Sequence, residues 1–506
     1  MPQTISGARN KVFLGSFVHS KVLGELEYLH NTAIFVNKSG IIVQIEKDCD
    51  DSKAKETVLP QLEWEEADVE FVKAGDEQFF FPGFIDTHIH APQYPNAGVF
   101  GSSTLLQWLR EYTFPMEASL SDEARARRVY TRVVRKTLSH GTTCAAYYAT
   151  IHVASTNILA DLCLKLGQRA LIGRVCMDSD TNPANLRDES VEASMAATKE
   201  SIAHIRRIDP DFSLIRPVIT PRFAPACTFP LLKQLGALAK DTGLPVQTHI
   251  SENKGEVALV KRLFPLPLTG AADSSYAAVY DAAGLLTRQT VLAHAVHLTD
   301  GEADLVAKRG AGVSHCPISN SALTSGAMPV RRMLLDRGIA CGLGTDVSGG
   351  YSPSVLETAR QAALVSRHVA FGPGGDETDR LSVEDVLFLA TRGGAKVLGL
   401  ADKVGGFEVG MEWDAQLIGL GIVTADGEQQ QQRGGGGGGG GGRRTGTGTG
   451  TTGGNVDVFG WEKWPDKVAK WLYNGDDRNT LKVWVKGRLV HERRRGRKKK
   501  EEETGP

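Results

Sequence analysis

Phe81-Pro82-Gly83-Phe84-Ile85-Asp86-Thr87-His88-Ile89-His90-Ala91 is an apolar run entered through Pro-Gly and closed by two histidines spaced i, i+2. On a β-strand that spacing turns both imidazoles to one face, and two neutral imidazoles on one face are half of a zinc site. An isolated His-x-His is more often a pair of hydrogen-bonded histidines than a ligand pair. Its meaning therefore depends on the surrounding chain.

From about residue 79 to about residue 400, short apolar segments alternate with amphipathic helical ones, the pattern of βα units around a parallel sheet. Eight strands are expected, over 79–90, 142–150, 169–177, 214–223, 244–251, 290–297, 312–317 and 339–346. Eight is the number that closes a TIM-like (β/α)8 barrel of the α/β class. The intervening segments agree. Ser121-Asp122-Glu123 offers an N-cap with acids in the first turn, Val129, Val133, Val134 and Leu138 recur at helical spacing, and Gly141 stops the run. Thr228-Phe229-Pro230 opens a second helix with Leu231, Leu232, Leu235 and Leu238 on one side.

Outside the barrel the character is β. Strands are expected over 11–18, 32–36 and 41–45, with a turn at Asn37-Lys38-Ser39-Gly40, and again over 404–418 and 481–490 with a helix at 461–473 between them. The organisation that follows is a barrel domain over 79–400 and a small β-sandwich domain built from both termini, 1–78 and 401–490. Residues 427–454 hold a glutamine run, nine consecutive glycines and Thr-Gly repeats. Such composition buries too little apolar surface to offset the entropy of ordering, so a disordered loop is expected. A disordered charged tail is expected over 491–506.

Composition narrows the partners. Of 506 residues, 41% are hydrophobic and 23% charged, enough for a sizeable core. Lys+Arg 58 against Asp+Glu 59 leaves a net charge of -1, so no global basic field argues for nucleic acid or a membrane surface. A small molecule is the expected partner. The start shows no basic and apolar leader, and no apolar run is long enough to span a bilayer. The seven cysteines are odd in number and scattered, without Cys-x-x-Cys pairs, which fits reduced thiols that pack in the cytoplasm.

Barrel enzymes place their chemistry at the C-terminal ends of the strands. Here those ends carry His88 and His90, then Arg222-Phe223, then His249 and Glu252, then His294, then Asp346. They supply nitrogen and oxygen ligands suited to zinc, and no thiolate that would make a closed structural site. An open position on such an ion would hold water, whose pKa zinc lowers towards ~7. Glu252, three residues beyond His249, is placed to serve as general acid/base. Singly, each residue has a plainer reading: His294 a buried hydrogen-bonded histidine, Asp346 a helix N-cap, Arg222 a rim salt bridge. Their arrival in order on strands one, four, five, six and eight of one barrel argues against coincidence.

At this point the residues reach a known family. His88-x-His90, His249, His294 and Asp346 resemble the amidohydrolase superfamily in its single-metal branch. Two-metal members bridge their ions with a carboxylated lysine where this chain has Arg222-Phe223. Asp86-Thr87-His88-Ile89-His90-Ala91-Pro92-Gln93-Tyr94, Trp108-Leu109-Arg110-Glu111-Tyr112-Thr113-Phe114-Pro115, Thr220-Pro221-Arg222-Phe223, His249-Ile250-Ser251-Glu252-Asn253, Gly344-Thr345-Asp346-Val347 and Gly475-Asp476-Asp477-Arg478-Asn479 are similar to its guanine-deaminating members. The resemblance implies one Zn2+ per subunit on His88, His90, His249 and Asp346. It implies Glu252 as proton carrier, with His294 and Asp346 orienting the water. It also implies a purine held by Gln93, Arg222 and Phe223 in contact with His249, Glu252 and Asp346, the substrates guanine and water, and a homodimer. Another heterocycle hydrolase of the same branch, or a metal-free scaffold on the same barrel, are the readings left open.

Overall fold

The Pro82-Gly83 step divides what reads as one strand into two. Gln78–Pro82 pairs antiparallel with Ala415–Gly419 in a sheet made from both ends of the chain, whereas Phe84–His90 starts a parallel sheet. A Cβ on Gly83 would stand 2.1 Å from Thr143 Oγ1, so only glycine lets the chain pass from one sheet to the other at this point. The structure is a computed structural model and describes residues 9–270, 273–423, 429–430 and 455–493.

The fold is α/β. One parallel four-stranded sheet runs Ile215–Pro217, Arg169–Gly173, Thr142–Tyr148, Phe84–His90, and a second runs Val246–Ile250, Thr290–His294, Gly312–His315, Cys341–Leu343. Backbone hydrogen bonds link the two at both seams. Gln247 N–H donates to Ile219 C=O at 3.0 Å on one side, and Asp346 N–H donates to His88 C=O at 2.8 Å on the other. The expected strands three and four are each interrupted, and their outer parts, Val175–Cys176 and Thr220–Pro221, form a separate two-stranded ladder. Pro217 and Pro221 lack the N–H a continuous ladder needs.

Helices follow their caps. Asp122 accepts from Ala124 N and Arg125 N at the start of Glu123–Ser139, and Thr228 accepts from Leu231 N at the start of Phe229–Thr242, which ends on left-handed Gly243. Both match the expected positions.

The terminal sheet departs from expectation more. Its eight strands include Asn10–His19, Glu27–Val36 and Ile42–Glu46 from one end and Ala415–Gly419, Thr480–Val485 and Arg488–Glu492 from the other. The described residues place these in a single mixed sheet, with a three-stranded sheet beside it, where a sandwich was expected. The single strand expected at 481–490 is a hairpin, because Lys486 (φ 48°) and Gly487 (φ 72°) both take the left-handed conformation of a two-residue turn. Val69–Lys73 is a strand whose alternation with charge hid it. Gln429–Gln430 pairs with Gly421–Val423, and the rest of the expected disordered loop lies outside the described residues, as does the tail from 494. All seven cysteines are buried and free, as their scatter suggested. No described helix is long and apolar enough to cross a membrane.

Two contacts lock the terminal sheet to the parallel strands. Trp471, on Trp464–Asn474, stacks on Phe84 at 5.9 Å and meets Phe79 and Phe81 edge-on. Arg169, at the start of its strand, donates from Nε to Asp414 at 3.0 Å and from Nη2 to Glu412 at 2.5 Å, all three side chains being largely buried. Removing one member of a buried ion group leaves the others charged and unpaired, a loss of about 3–5 kcal/mol. Arg169→Met is therefore expected to lower the unfolding free energy by that order, read from the denaturant midpoint. A shift worth less than about 1 kcal/mol would mean that Asp414 and Glu412 find water or other partners.

Candidate active site

Alternation along Phe84–His90 sends His88 and His90 to the same side, and the parallel neighbours bring further polar ends to that rim. Several of these ends are bent inward by left-handed backbone at non-glycine residues: Ser251 (φ 49°), His294 (φ 74°), Ala295 (φ 55°) and Asp346 (φ 45°). Each such residue carries roughly 1–3 kcal/mol of strain, which clusters where side-chain aim matters more than local comfort. Gly344 makes room beneath: a Cβ there would lie 2.7 Å from that of His88 and 2.9 Å from Cys316 Sγ.

Asp86 ties the first and last strands together. Its carboxyl accepts from His88 N–H at 3.2 Å, Thr345 N–H at 3.0 Å and Thr345 Oγ1 at 2.5 Å. Burial pushes its pKa to about 7 against those three donors. The backbone of one ligand candidate, His88, and the residue before another, Asp346, are thus fixed by one side chain.

His88, His90, His249 and Asp346 come together with their donor atoms all within 4.8 Å. His88 Nε2 is 3.2 Å and His90 Nε2 3.4 Å from Asp346 Oδ1, and His90 Nε2 is 3.1 Å from His249 Nε2. A tetrahedral ion with bonds of about 2.0–2.1 Å sets its donors ~3.3 Å apart, so these spacings are those of ligands around a common centre. The Nδ1 of His249 is held 2.5 Å from Arg222 C=O, which turns its Nε2 inward, the usual second contact of a ligating histidine.

Electrostatics favour the same chemistry. Burial lowers the pKa of His88, His90 and His249, the last two strongly, so the imidazoles stay neutral. Burial acts upward on Asp346 too, but the hydrogen bond and charge of His88 outweigh it and hold the carboxylate at about 2. Three neutral imidazoles and one carboxylate form a donor set for a cation. A second cluster, His88, His294 and Cys316, is poorer, because burial and Asp346 drive the thiol pKa well up and leave a protonated sulfur.

Glu252 leaves the strand end after Ser251, with Oε2 3.5 Å from His294 Nε2, and Ser325 Oγ donates to its Oε1 at 3.3 Å. Burial, then the charges of Asp346 and Glu256, raise its pKa well above the carboxylate range, so it can hold a proton near neutrality. Glu256 accepts from the Glu252 N–H at 2.8 Å and fixes this turn. His294 is oriented by Asn320 Oδ1, 2.9 Å from its Nδ1.

One cavity is lined by His90, His249, His294, Asp346 and Glu252 together with Gln93, Arg222 and Phe223, and it is closed by Leu105, Trp108, Leu109 and Leu323. Arg222 differs from the rim salt bridge weighed for it. It is 2% exposed and bound by both terminal nitrogens to Glu117, Nη1 at 2.5 Å and Nη2 at 3.0 Å, over the ring of Phe114. Glu117, Glu256, Asp86 and Asn320 were not legible as site residues. Only Glu117 carried a signal, an acid embedded in Phe114-Pro115-Met116, which in a buried stretch demands a cationic partner.

The amidohydrolase family matches residues 79–490, and the chain belongs to it. Within that family it is 45% identical to the probable guanine deaminase of Schizosaccharomyces pombe over 479 residues, covering 95% of this chain and 83% of that protein. It is 38% identical to the guanine deaminase of Homo sapiens over 484 residues, covering 95% and 96%. The guanine deaminase from C. acetobutylicum with bound guanine superposes with a TM-score of 0.78 at 30% identity, covering 95% of this chain and all of that one. The likeness read from the motifs is thus borne out.

An ion that binds only the folded state stabilises it, by about 4 kcal/mol at a concentration a thousandfold above Kd. Chelation is therefore expected to lower the melting temperature and added Zn2+ to restore it, while His88→Ala shows neither response. A melting curve unchanged after complete metal removal would mean that the four donors satisfy one another.

Proposed function

We propose that the protein is a Zn2+-dependent guanine deaminase, converting guanine and water to xanthine and ammonia in guanine degradation. The observation that carries this reading is the shared cavity: the donors His90, His249 and Asp346, the carboxyl of Glu252, and the Gln93, Arg222 and Phe223 group all face one space. In the same reading the parallel strands are those of a closed (β/α)8 barrel, with one Zn2+ per subunit of a cytoplasmic homodimer.

His88, His90, His249 and Asp346 would hold the ion, which supplies Lewis acidity and brings deprotonation of water within reach of neutral pH. The chain's own residues do the rest. Phe223 packs on the purine face, and Arg222 donates to O6. Glu252 takes a proton from the attacking water as oxygen bonds to C2, and delivers it to N3. Asp346 and His294 orient the water oxygen on the opposite side of the carboxyl. The proton left on the new oxygen passes to the 2-amino group, the C2–N bond breaks, and ammonia leaves with C2 as a carbonyl. The apolar wall of Leu105, Trp108, Leu109 and Leu323 keeps bulk water out, so these transfers stay within the site.

Ammonia release from guanine by purified protein, with elemental analysis, tests this directly. Turnover with about one zinc per chain is expected. Bound zinc without guanine turnover would move the substrate to another aminated or chlorinated heterocycle, and absence of metal would favour a scaffold. Glu252→Gln is expected to keep zinc and lose at least ~10²-fold in kcat, and near-normal turnover by that variant would remove Glu252 from the chemistry.

A further inference from the structure

Outside the donor set lies a buried acid that the mechanism does not use. Glu117 is fully buried, and its two oxygens receive three hydrogen bonds: Gln93 Nε2 to Oε1 at 2.8 Å, Arg222 Nη2 to Oε1 at 3.0 Å, and Arg222 Nη1 to Oε2 at 2.5 Å. Gln93 is engaged at its other end as well, its Oε1 accepting from Ser348 N–H at 3.2 Å.

We infer that Glu117 is a positioning residue that fixes the hydrogen-bonding polarity of the recognition edge, so that the pocket accepts a lactam, N–H beside C=O, and rejects its amidine counterpart. This rests on the guanine reading and deepens it. A carboxylate accepts only, so the Gln93 amide must turn its NH2 to Glu117, and the Ser348 N–H demands the same orientation from the opposite side. Gln93 keeps the second lone pair of Oε1 and the second N–H of Nε2, but the order of oxygen and nitrogen along the edge is fixed, and in this inference it is the oxygen that meets N1–H.

Arg222 is fixed in parallel. The carboxylate takes one N–H from each terminal nitrogen and neutralises the charge, and the Nε–H has no partner among the described residues. The guanidinium therefore offers donors only. Acceptor beside donor is the complement of N1–H beside O6. Adenine and 2,6-diaminopurine present N1 as acceptor beside an amino donor, and would set acceptor against acceptor and donor against donor. An amide at position 117 loosens the constraint, because it can donate to a flipped Gln93, leaving only the Ser348 N–H to oppose the flip, and it no longer balances Arg222.

The test compares guanine with 2-aminopurine, which carries the same 2-amino group but no lactam. Relative to wild type, E117Q is expected to lose at least ~10-fold in kcat/KM for guanine, mainly through KM, with unchanged zinc content. The ratio of guanine to 2-aminopurine kcat/KM should fall by a similar factor. E117D keeps the charge one methylene shorter and should lie between the two; if E117Q does not fold, a ratio for E117D below wild type by several-fold is the expected result. Equal losses on both substrates alongside a lower melting temperature, or a wild-type ratio in E117D when E117Q is insoluble, would overturn the inference and leave Glu117 a packing residue. Wild-type protein that ignores guanine removes the substrate reading and this inference with it, whereas guanine turnover with an unchanged ratio in E117Q removes the inference alone.

Discussion

Desolvation of ionisable groups at one end of the parallel strands is the constraint on which the rest depends. Four histidines and three carboxylates, His88, His90, His249, His294, Glu252, Glu256 and Asp346, lie within a few side chains of one another, and all but the part-buried His249 are almost wholly out of water. Charges so placed must be paired, ligated or neutralised. The site uses all three routes: His88, His90 and His249 are driven neutral, Asp346 keeps its charge among them, and Glu252 is pushed towards its protonated form. Burial acts upward on both carboxyls, but the pKa of Asp346 ends lowered and that of Glu252 raised because their neighbours differ. Asp346 faces imidazoles, whereas Glu252 faces other acids, and that separation is what acid/base chemistry requires.

Holding this arrangement requires the scaffold to absorb strain elsewhere. Left-handed backbone at Ser251, His294, Ala295 and Asp346 is compatible with a stable fold only because each bend is fastened by neighbours. Asp86 binds the His88 and Thr345 backbones, Glu256 binds that of Glu252, and Gly344 leaves the space in which His88 sits. Further from the rim, Arg169 with Asp414 and Glu412 anchors the terminal sheet against the opposite end of the strands. Rigid support below and strained ends above is how one scaffold can aim side chains from five separate strands.

Much of this was legible in the sequence, for identifiable reasons. His88 and His90 could be paired because strand periodicity is local, and helices Glu123–Ser139 and Phe229–Thr242 could be placed because caps are local. His249, His294 and Asp346 were legible only through their common position at strand ends. What was hidden depended on contacts remote in the chain or on turn conformation. Glu117 meets Arg222 across 105 residues, and no spacing rule announces such a pair. The hairpin at Lys486-Gly487 was missed because lysine rarely takes a left-handed turn position, and the break at Pro82-Gly83 because Phe79-Phe80-Phe81 and Phe84-Ile85 on either side of it read as one apolar run.

Glu117 also explains why Arg222 can sit in the site at all. An arginine 2% exposed beside a cation-binding donor set would repel the ion it faces and depress the neighbouring imidazoles further. Paired through two nitrogens with a carboxylate, it contributes direction without net charge, and the Coulombic conflict between recognition and metal binding is removed. In the proposed reading the site therefore consists of two locally balanced groups, three imidazoles with Asp346 that would hold a cation and Arg222 with Glu117 that would meet a carbonyl. Each can be strong because the other does not feel its charge, and Gln93, uncharged and held at both ends, joins them without upsetting either balance.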